Sequence, residues 1–317
     1  MFSLKRASVL CLGLLGGCAS ISPSAEESKG SVRVFLLAGQ SNMEGQAVVD
    51  LDHEEHYNGG RGTLVKVLET PEISAEFGHW GAPGAWTVRE DVYVSYQPAT
   101  GPLKAGPLSI GYAVYEGAHH FGPEMELGWE LGEHFDEPVL LIKTCWGGKS
   151  LMKDFRPPSA GGDVGPFYRQ MIAEYRDAIA RLDERFPQLA GLQPELSGFF
   201  WFQGWNDMFT EGALAAYALN LELLVKDLRK ELDAPDLPFV VGQTGNADNE
   251  ELWEAQEAAT QSADFEGAAR YVLTRAFLRR PEDSPNQGHG HHWFGSAESY
   301  LRVGDAMGAA MVKLLSL

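Results

Sequence analysis

The chain is 317 residues long, 44% hydrophobic and only 22% charged, which is enough apolar sequence to bury a sizeable core and too much for a disordered chain. Its formal net charge of −19 describes a surface that repels phosphate backbones and anionic lipid, so nucleic acid is a poor partner and a neutral substrate fits better. The sequence carries no glycine-rich nucleotide fingerprint and no internal repeat.

Residues 1–17 read as an export signal, with Lys5 and Arg6 ahead of an apolar run, Val9 to Leu15, that is too short to span a bilayer. Leu15-Gly16-Gly17-Cys18 matches a bacterial lipobox, so Cys18 is expected to carry lipid. The expected product is exported and tethered to the cell envelope, on the periplasmic or the outer surface, with no membrane contact beyond that anchor. Removal of residues 1–17, which contain two basic residues and no acid, would take the charge to about −21. Residues 18–31 are small, polar and acidic and read as the tether. Cys145 is then the one cysteine of the folded domain, which leaves no intramolecular disulfide. At the end of an apolar run it is expected to be a small buried hydrophobe rather than a nucleophile.

From residue 32 to 317 strands and helices alternate, as in a mostly parallel sheet covered on both faces. Strands are expected at 32–38, 138–143, 196–202 and 238–243, with a weaker one near 269–274. Two apolar stripes at helical spacing separate them: Tyr168, Met171, Ile172, Tyr175, Ile179 and Leu182, then Leu214, Tyr217, Leu221, Leu224, Leu228 and Leu232. A last helix over 297–315 is expected to pack near the first strand. Residues 46–123 break the alternation. They are rich in Gly, Pro and aromatic residues, with a short strand-like piece at 92–96, and are expected to form an insertion that walls an active site.

The chemistry-bearing residues follow the strands. After the first comes Gly39-Gln40-Ser41-Asn42-Met43; after the second, Cys145-Trp146-Gly147-Gly148-Lys149; after the third, Gln203-Gly204-Trp205-Asn206-Asp207; and late in the chain, His289-Gly290-His291-His292-Trp293-Phe294-Gly295-Ser296. In open α/β sheets such strand ends face one crevice, so these clusters converge. They supply a hydroxyl, an imidazole and neutral donors for an oxyanion, which acyl transfer by serine requires. Each has a plainer reading: Gly39-Gln40-Ser41-Asn42 as a polar turn, Gly147-Gly148 as a turn, Asn206 as a helix cap. Met43 stands where a Gly-x-Ser-x-Gly elbow would have its second glycine. His119-His120 together with the late histidines could instead hold a metal, although no acid or cysteine partner sits at helical spacing.

Gly39-Gln-Ser-Asn-Met43, Phe121-Gly-Pro-Glu124, Trp146-Gly-Gly148 and Trp201-Phe-Gln-Gly204, in that order, resemble the SGNH hydrolases and in particular the sialate O-acetylesterase and acetyl xylan esterase group, carbohydrate esterase family 6. The resemblance runs from about residue 32 to 311. It implies a single three-layer α/β/α sandwich of the SGNH or flavodoxin-like kind and a serine esterase that removes O-acetyl groups from polysaccharide or sialic acid through an acetyl-serine, without cofactor or metal. Ser41 would be the nucleophile and His292 the base. The oxyanion would be held by the backbone N–H of Ser41 and of Gly148, or Gly147, and by the Asn206 side chain. Gln40, Glu124 and Gln203 would line the substrate. Trp80, Trp86, Trp146, Trp205 and Trp293 offer flat faces to sugar rings, some of them core instead. The chain departs from the group at the acid that should orient the base: His289 stands three residues before His292, and Trp205 follows the Gln-Gly step. Asp283, Glu282, Asp207 or a backbone carbonyl stay open as substitutes. The departure also motivates an alternative, a non-catalytic carbohydrate-binding lipoprotein on the same fold.

Overall fold

The run Ser31–Gly39 (β1) is apolar at nearly every position because both of its faces are covered, as a central parallel strand requires. Phe35 and Leu37 enter one core, while Val32, Val34, Leu36 and Ala38 enter the other. The computed structural model describes residues 30–316; the signal segment, Cys18 and nearly all of the tether lie outside the described residues. The further strands of the main sheet are Arg89–Tyr96 (β2), Lys104–Leu108 (β3), Val139–Cys145 (β4), Gln193–Phe202 (β5), Phe239–Gly242 (β6) and Ala269–Val272 (β7). They lie in the order β7-β6-β5-β1-β4-β2-β3, parallel throughout except for β3 against β2.

Helices Glu124–His134 (α1) and Ala297–Leu315 (α5) cover one face; Pro166–Ala180 (α2), Ala213–Glu231 (α3) and Glu250–Thr260 (α4) cover the other. The result is the α/β/α sandwich expected from the sequence. α5 lies chiefly over α1, β6 and β7 rather than over β1, which it meets through Met311 near Gly198 and Phe35. Residues 46–123 are not a pure insertion. Their β2 and β3 complete one side of the main sheet, and the remainder folds into short helical turns, one small hairpin and a short antiparallel pairing of Ala47–Val48 with His120–Phe121.

The register sets the site. Gly39 at the end of β1 is level with Cys145 of β4 and with Phe202 of β5, so three chemistry-bearing turns begin side by side at the carboxyl edge. A side chain at Gly39 would put its Cβ 2.2 Å from the Phe202 carbonyl oxygen, so only glycine lets these two strand ends close.

Candidate active site

Ser41 opens a single helical turn, Ser41–Glu44, directly after the β1 bend. Its Oγ lies 3.0 Å from His292 Nε2, although the two residues are 251 positions apart. With the imidazole neutral and Nε2 unprotonated, the hydroxyl donates to the ring, the arrangement a general base needs. Burial first, and the neighbouring His291 and His289 second, push the His292 pKa down to about 4.

The loop carrying His292 is held on both sides. Asn42 Nδ2 donates to the His291 carbonyl at 3.1 Å, and Tyr300 Oη of α5 donates to Asn42 Oδ1 at 2.7 Å. Asn246 Nδ2 donates to the Gly290 carbonyl at 3.1 Å. Immediately after His292, Trp293 and Phe294 both take positive φ values, 53° and 54°, which side-chain-bearing residues rarely adopt. Such conformations cost on the order of 1–3 kcal/mol each and persist only where packing over-determines them, here the fully buried Trp293.

The donors expected to meet an oxyanion lie on the Ser41 turn and on the other two turns. Among the described residues, neither the Ser41 nor the Gly148 N–H makes a hydrogen bond, and Asn206 Nδ2 donates none. Asn206 is oriented by Gln40: Gln40 Nε2 donates to Asn206 Oδ1 at 3.0 Å, which turns the Asn206 amino group away from the protein. Gln40 Oε1 in turn accepts from the N–H of Gly204 at 3.2 Å, of Asn206 at 3.4 Å and from Gln203 Nε2 at 3.3 Å. Asn206 caps no helix, and Ser41 serves no cap either. Beneath the turn, burial raises the pKa of Glu44, against the lowering effect of the Gly147 amide, the Tyr96 hydroxyl at 3.3 Å and Lys143.

Several expected roles are corrected. Gln40, Gln203 and Glu124 do not line a substrate site, because all three are buried and occupied. Gln203 Nε2 donates to Asp207 Oδ2 at 2.6 Å and to the Lys149 carbonyl at 3.0 Å. Glu124 pairs with Lys143 at 2.8 Å inside the protein, and Lys143 also donates to the Glu44 and Tyr112 carbonyls. Asp207 does not orient His292 either. It is buried and accepts the N–H groups of Leu151 and Met152, each at 2.9 Å, so it pins the loop after Gly148. Asp283 and Glu282 pair with Arg280 instead. Among the described residues no carboxylate bonds His292, which leaves Ser41 and His292 as a dyad. Trp80, Trp146 and Trp293 are core; Trp205 is half-buried at the site and Trp86 belongs to a separate hairpin. Cys145 is fully buried, and burial raises its thiol pKa.

Beside the pair opens a polar cleft of about 360 Å³, lined by Gln46, His56, Tyr57, Tyr115, His120, Asn286, His289, His291 and His292. Residues 46–123 therefore contribute one wall of it. Burial holds the His120 pKa near 4, and His119 turns outward to Asp50 at 2.7 Å. Among the described residues no group of three or more His, Cys, Asp or Glu is placed to hold a metal ion. The positioning residues Gln40, Asn42 and Tyr300 carry no signal of their own beyond their place in or beside a motif.

The family model described as carbohydrate esterase, sialic acid-specific acetylesterase matches residues 31–313. A protein of Arabidopsis thaliana named as a probable carbohydrate esterase is 26% identical over 210 residues, 66% of this chain and 67% of that protein. The X-ray structure of that same Arabidopsis thaliana protein shares the fold with a TM-score of 0.57 at 15% identity, over 89% of this chain and 98% of its own. The crystal structure of NanS does so with a TM-score of 0.54 at 14% identity, over 90% of this chain and 98% of its own.

Proposed function

This chain belongs to the carbohydrate esterase family of sialic acid-specific acetylesterases, and from that premise we propose that it removes O-acetyl groups from a glycan through an acetyl-Ser41 intermediate. The observation that carries the reading is the 3.0 Å contact between Ser41 Oγ and His292 Nε2, set beside three unengaged donors. His292 takes the hydroxyl proton as Oγ attacks the acetyl carbonyl. The tetrahedral oxyanion is met by the N–H groups of Ser41 and Gly148 and by Asn206 Nδ2, each such donor contributing about 2.7–4 kcal/mol in comparable sites. His292 then gives its proton to the departing sugar oxygen, and a water activated by the same ring releases acetate.

Without a carboxylate behind it, the imidazolium formed in each half-reaction is stabilised less than in a full triad, while the low pKa keeps the base neutral at ordinary pH. The test is hydrolysis of p-nitrophenyl acetate. Ser41→Ala and His292→Ala are each expected to lose roughly a thousandfold or more, with little further loss in the double variant. Ser41→Ala turning over like the wild type would overturn the mechanism.

The unaccompanied His292 is also what a glycan-binding protein without hydrolysis would retain. That reading expects tight glycan binding, no acetate release and no labelling of Ser41 by a fluorophosphonate. Lipidation at Cys18 and an envelope location are part of the proposal, tested by radiolabelled palmitate incorporation in wild type against Cys18→Ser.

A further inference from the structure

Three aromatic side chains lead away from the catalytic pair and are unused by the mechanism. His291 lies 4.1 Å from the ring of His292, Trp205 lies 6.0 Å from His291, and Phe209 lies 6.3 Å from Trp205, all between ring centres. Adjacent planes are tilted by 49° between Trp205 and His291 and by 52° between Trp205 and Phe209, so the rings form an open, angled strip rather than a closed stack.

Phe209 is the unusual member. It is 73% exposed, the most exposed of the large hydrophobic side chains among the described residues. The turn that carries it is anchored from within. Trp205–Phe209 forms a 3₁₀ turn whose Asp207 points inward and is bound by the Leu151 and Met152 amides. With three residues per turn, positions i and i+3 share a face, so Phe209 stands on the same side as Asn206, the proposed oxyanion donor. Just past it, Thr210 and Glu211 line a cleft of about 470 Å³ with Met152, Lys153 and Arg156, so open space continues the strip.

We propose that Trp205 and Phe209 form a stacking platform for a sugar ring adjacent to the acetylated one, so that the protein takes its substrate from a chain of sugars rather than as a single sugar. A pyranose presents an apolar face of C–H groups and a polar rim, which suits an aromatic surface beside polar groups. The inference rests on the esterase reading and deepens it: the strip begins at the base and shares a turn with an oxyanion donor, so a ring seated there is connected to the ester being cleaved.

The experiment measures kcat/KM on partially acetylated xylo- and gluco-oligosaccharides of increasing length, from a single sugar to a hexamer, and on p-nitrophenyl acetate. Wild type, Phe209→Ala, Trp205→Phe and the exposed-surface control Leu219→Ala are compared. Wild type is expected to gain efficiency with length, and Phe209→Ala to lose roughly three- to tenfold more on the hexamer than on p-nitrophenyl acetate, mainly in KM. Trp205→Phe should keep part of the gain, and Leu219→Ala all of it. A wild type indifferent to length, or a Phe209→Ala series parallel to wild type, overturns the platform. Ser41-independent turnover of p-nitrophenyl acetate would instead overturn the esterase reading.

Discussion

At the residue scale the candidate centre is held together by buried side chains behind Ser41, His292 and Asn206. Gln40 satisfies four hydrogen-bonding groups with one amide, and because its Nε2 donates to Asn206 Oδ1, the Asn206 amino group is left for the proposed oxyanion. Gln40→Glu keeps the acceptor but places a second oxygen against Asn206 Oδ1, so the Asn206 amide should turn and withdraw its donor. The expected result is a fall of about a hundredfold in kcat with KM little changed, read by steady-state hydrolysis of p-nitrophenyl acetate. A kcat within twofold of wild type would mean that Asn206 is not oriented in this way. That Ser41, Gly148 and Asn206 would lie near one another was legible because each sits in a motif directly after a strand and strand ends of a parallel sheet gather, whereas His292 reaches Ser41 from a loop well past the last strand. The roles of Gln40, Gln203 and Glu124 were not legible, since a polar residue in a motif can face the substrate or hold up its neighbours, and only burial separates the two. The acids failed for a related reason: Asp207 is adjacent to Asn206 in sequence but on the inner side of a tight turn, where backbone amides claim it first.

At the scale of elements, the strands were readable because two-sided burial demands unbroken apolar runs, and the long helices because one-sided burial demands a stripe. α1 escaped because Gly128 and Gly132 occupy its sheet-facing positions; a Cβ at Gly128 would lie 2.6 Å from Leu108 Cδ2. β3 escaped because it is a short edge strand containing Pro107, tolerable only where no inner neighbour needs its N–H. α1 is tied to the site by the Lys143–Glu124 pair, both side chains fully buried, with Lys143 also donating to the carbonyl at the end of the Ser41 turn and to Tyr112. One ammonium thus joins β4, α1, the nucleophile turn and residues 46–123. Removing it leaves a carboxylate in the interior with the Gly122 amide as its remaining partner. Lys143→Met should therefore cost about 3–5 kcal/mol in urea unfolding, and Lys143→Met with Glu124→Gln should recover a large part of that. A double variant as unstable as the single one would show that the pair's charge is not what matters.

For the molecule as a whole, a net charge of −19 coexists with buried groups that titrate in opposite senses. Burial raises the pKa of Glu44, Glu130, Glu174, Asp207 and Asp305, so the folded protein takes up their protons before the unfolded chain does and gains stability as pH falls through those raised values. Burial lowers His120 and His292 to about 4, so between there and the ordinary value near 6.5 the unfolded chain binds protons that the folded one refuses, and stability is lost as pH falls. The two sets act in opposite senses as pH falls. His120 separates them, since it lines the polar cleft, its buried Nδ1 has no partner among the described residues, and it is not one of the reacting groups. His120→Gln removes one titrating base while keeping a polar side chain of similar reach. Between pH 7 and pH 5 the variant should lose roughly 1–2 kcal/mol less stability than wild type, compared by urea unfolding at both values. Identical losses would mean that His120 accepts its proton as readily in the folded protein as in the unfolded chain, and that the cleft is wetter than its burial implies.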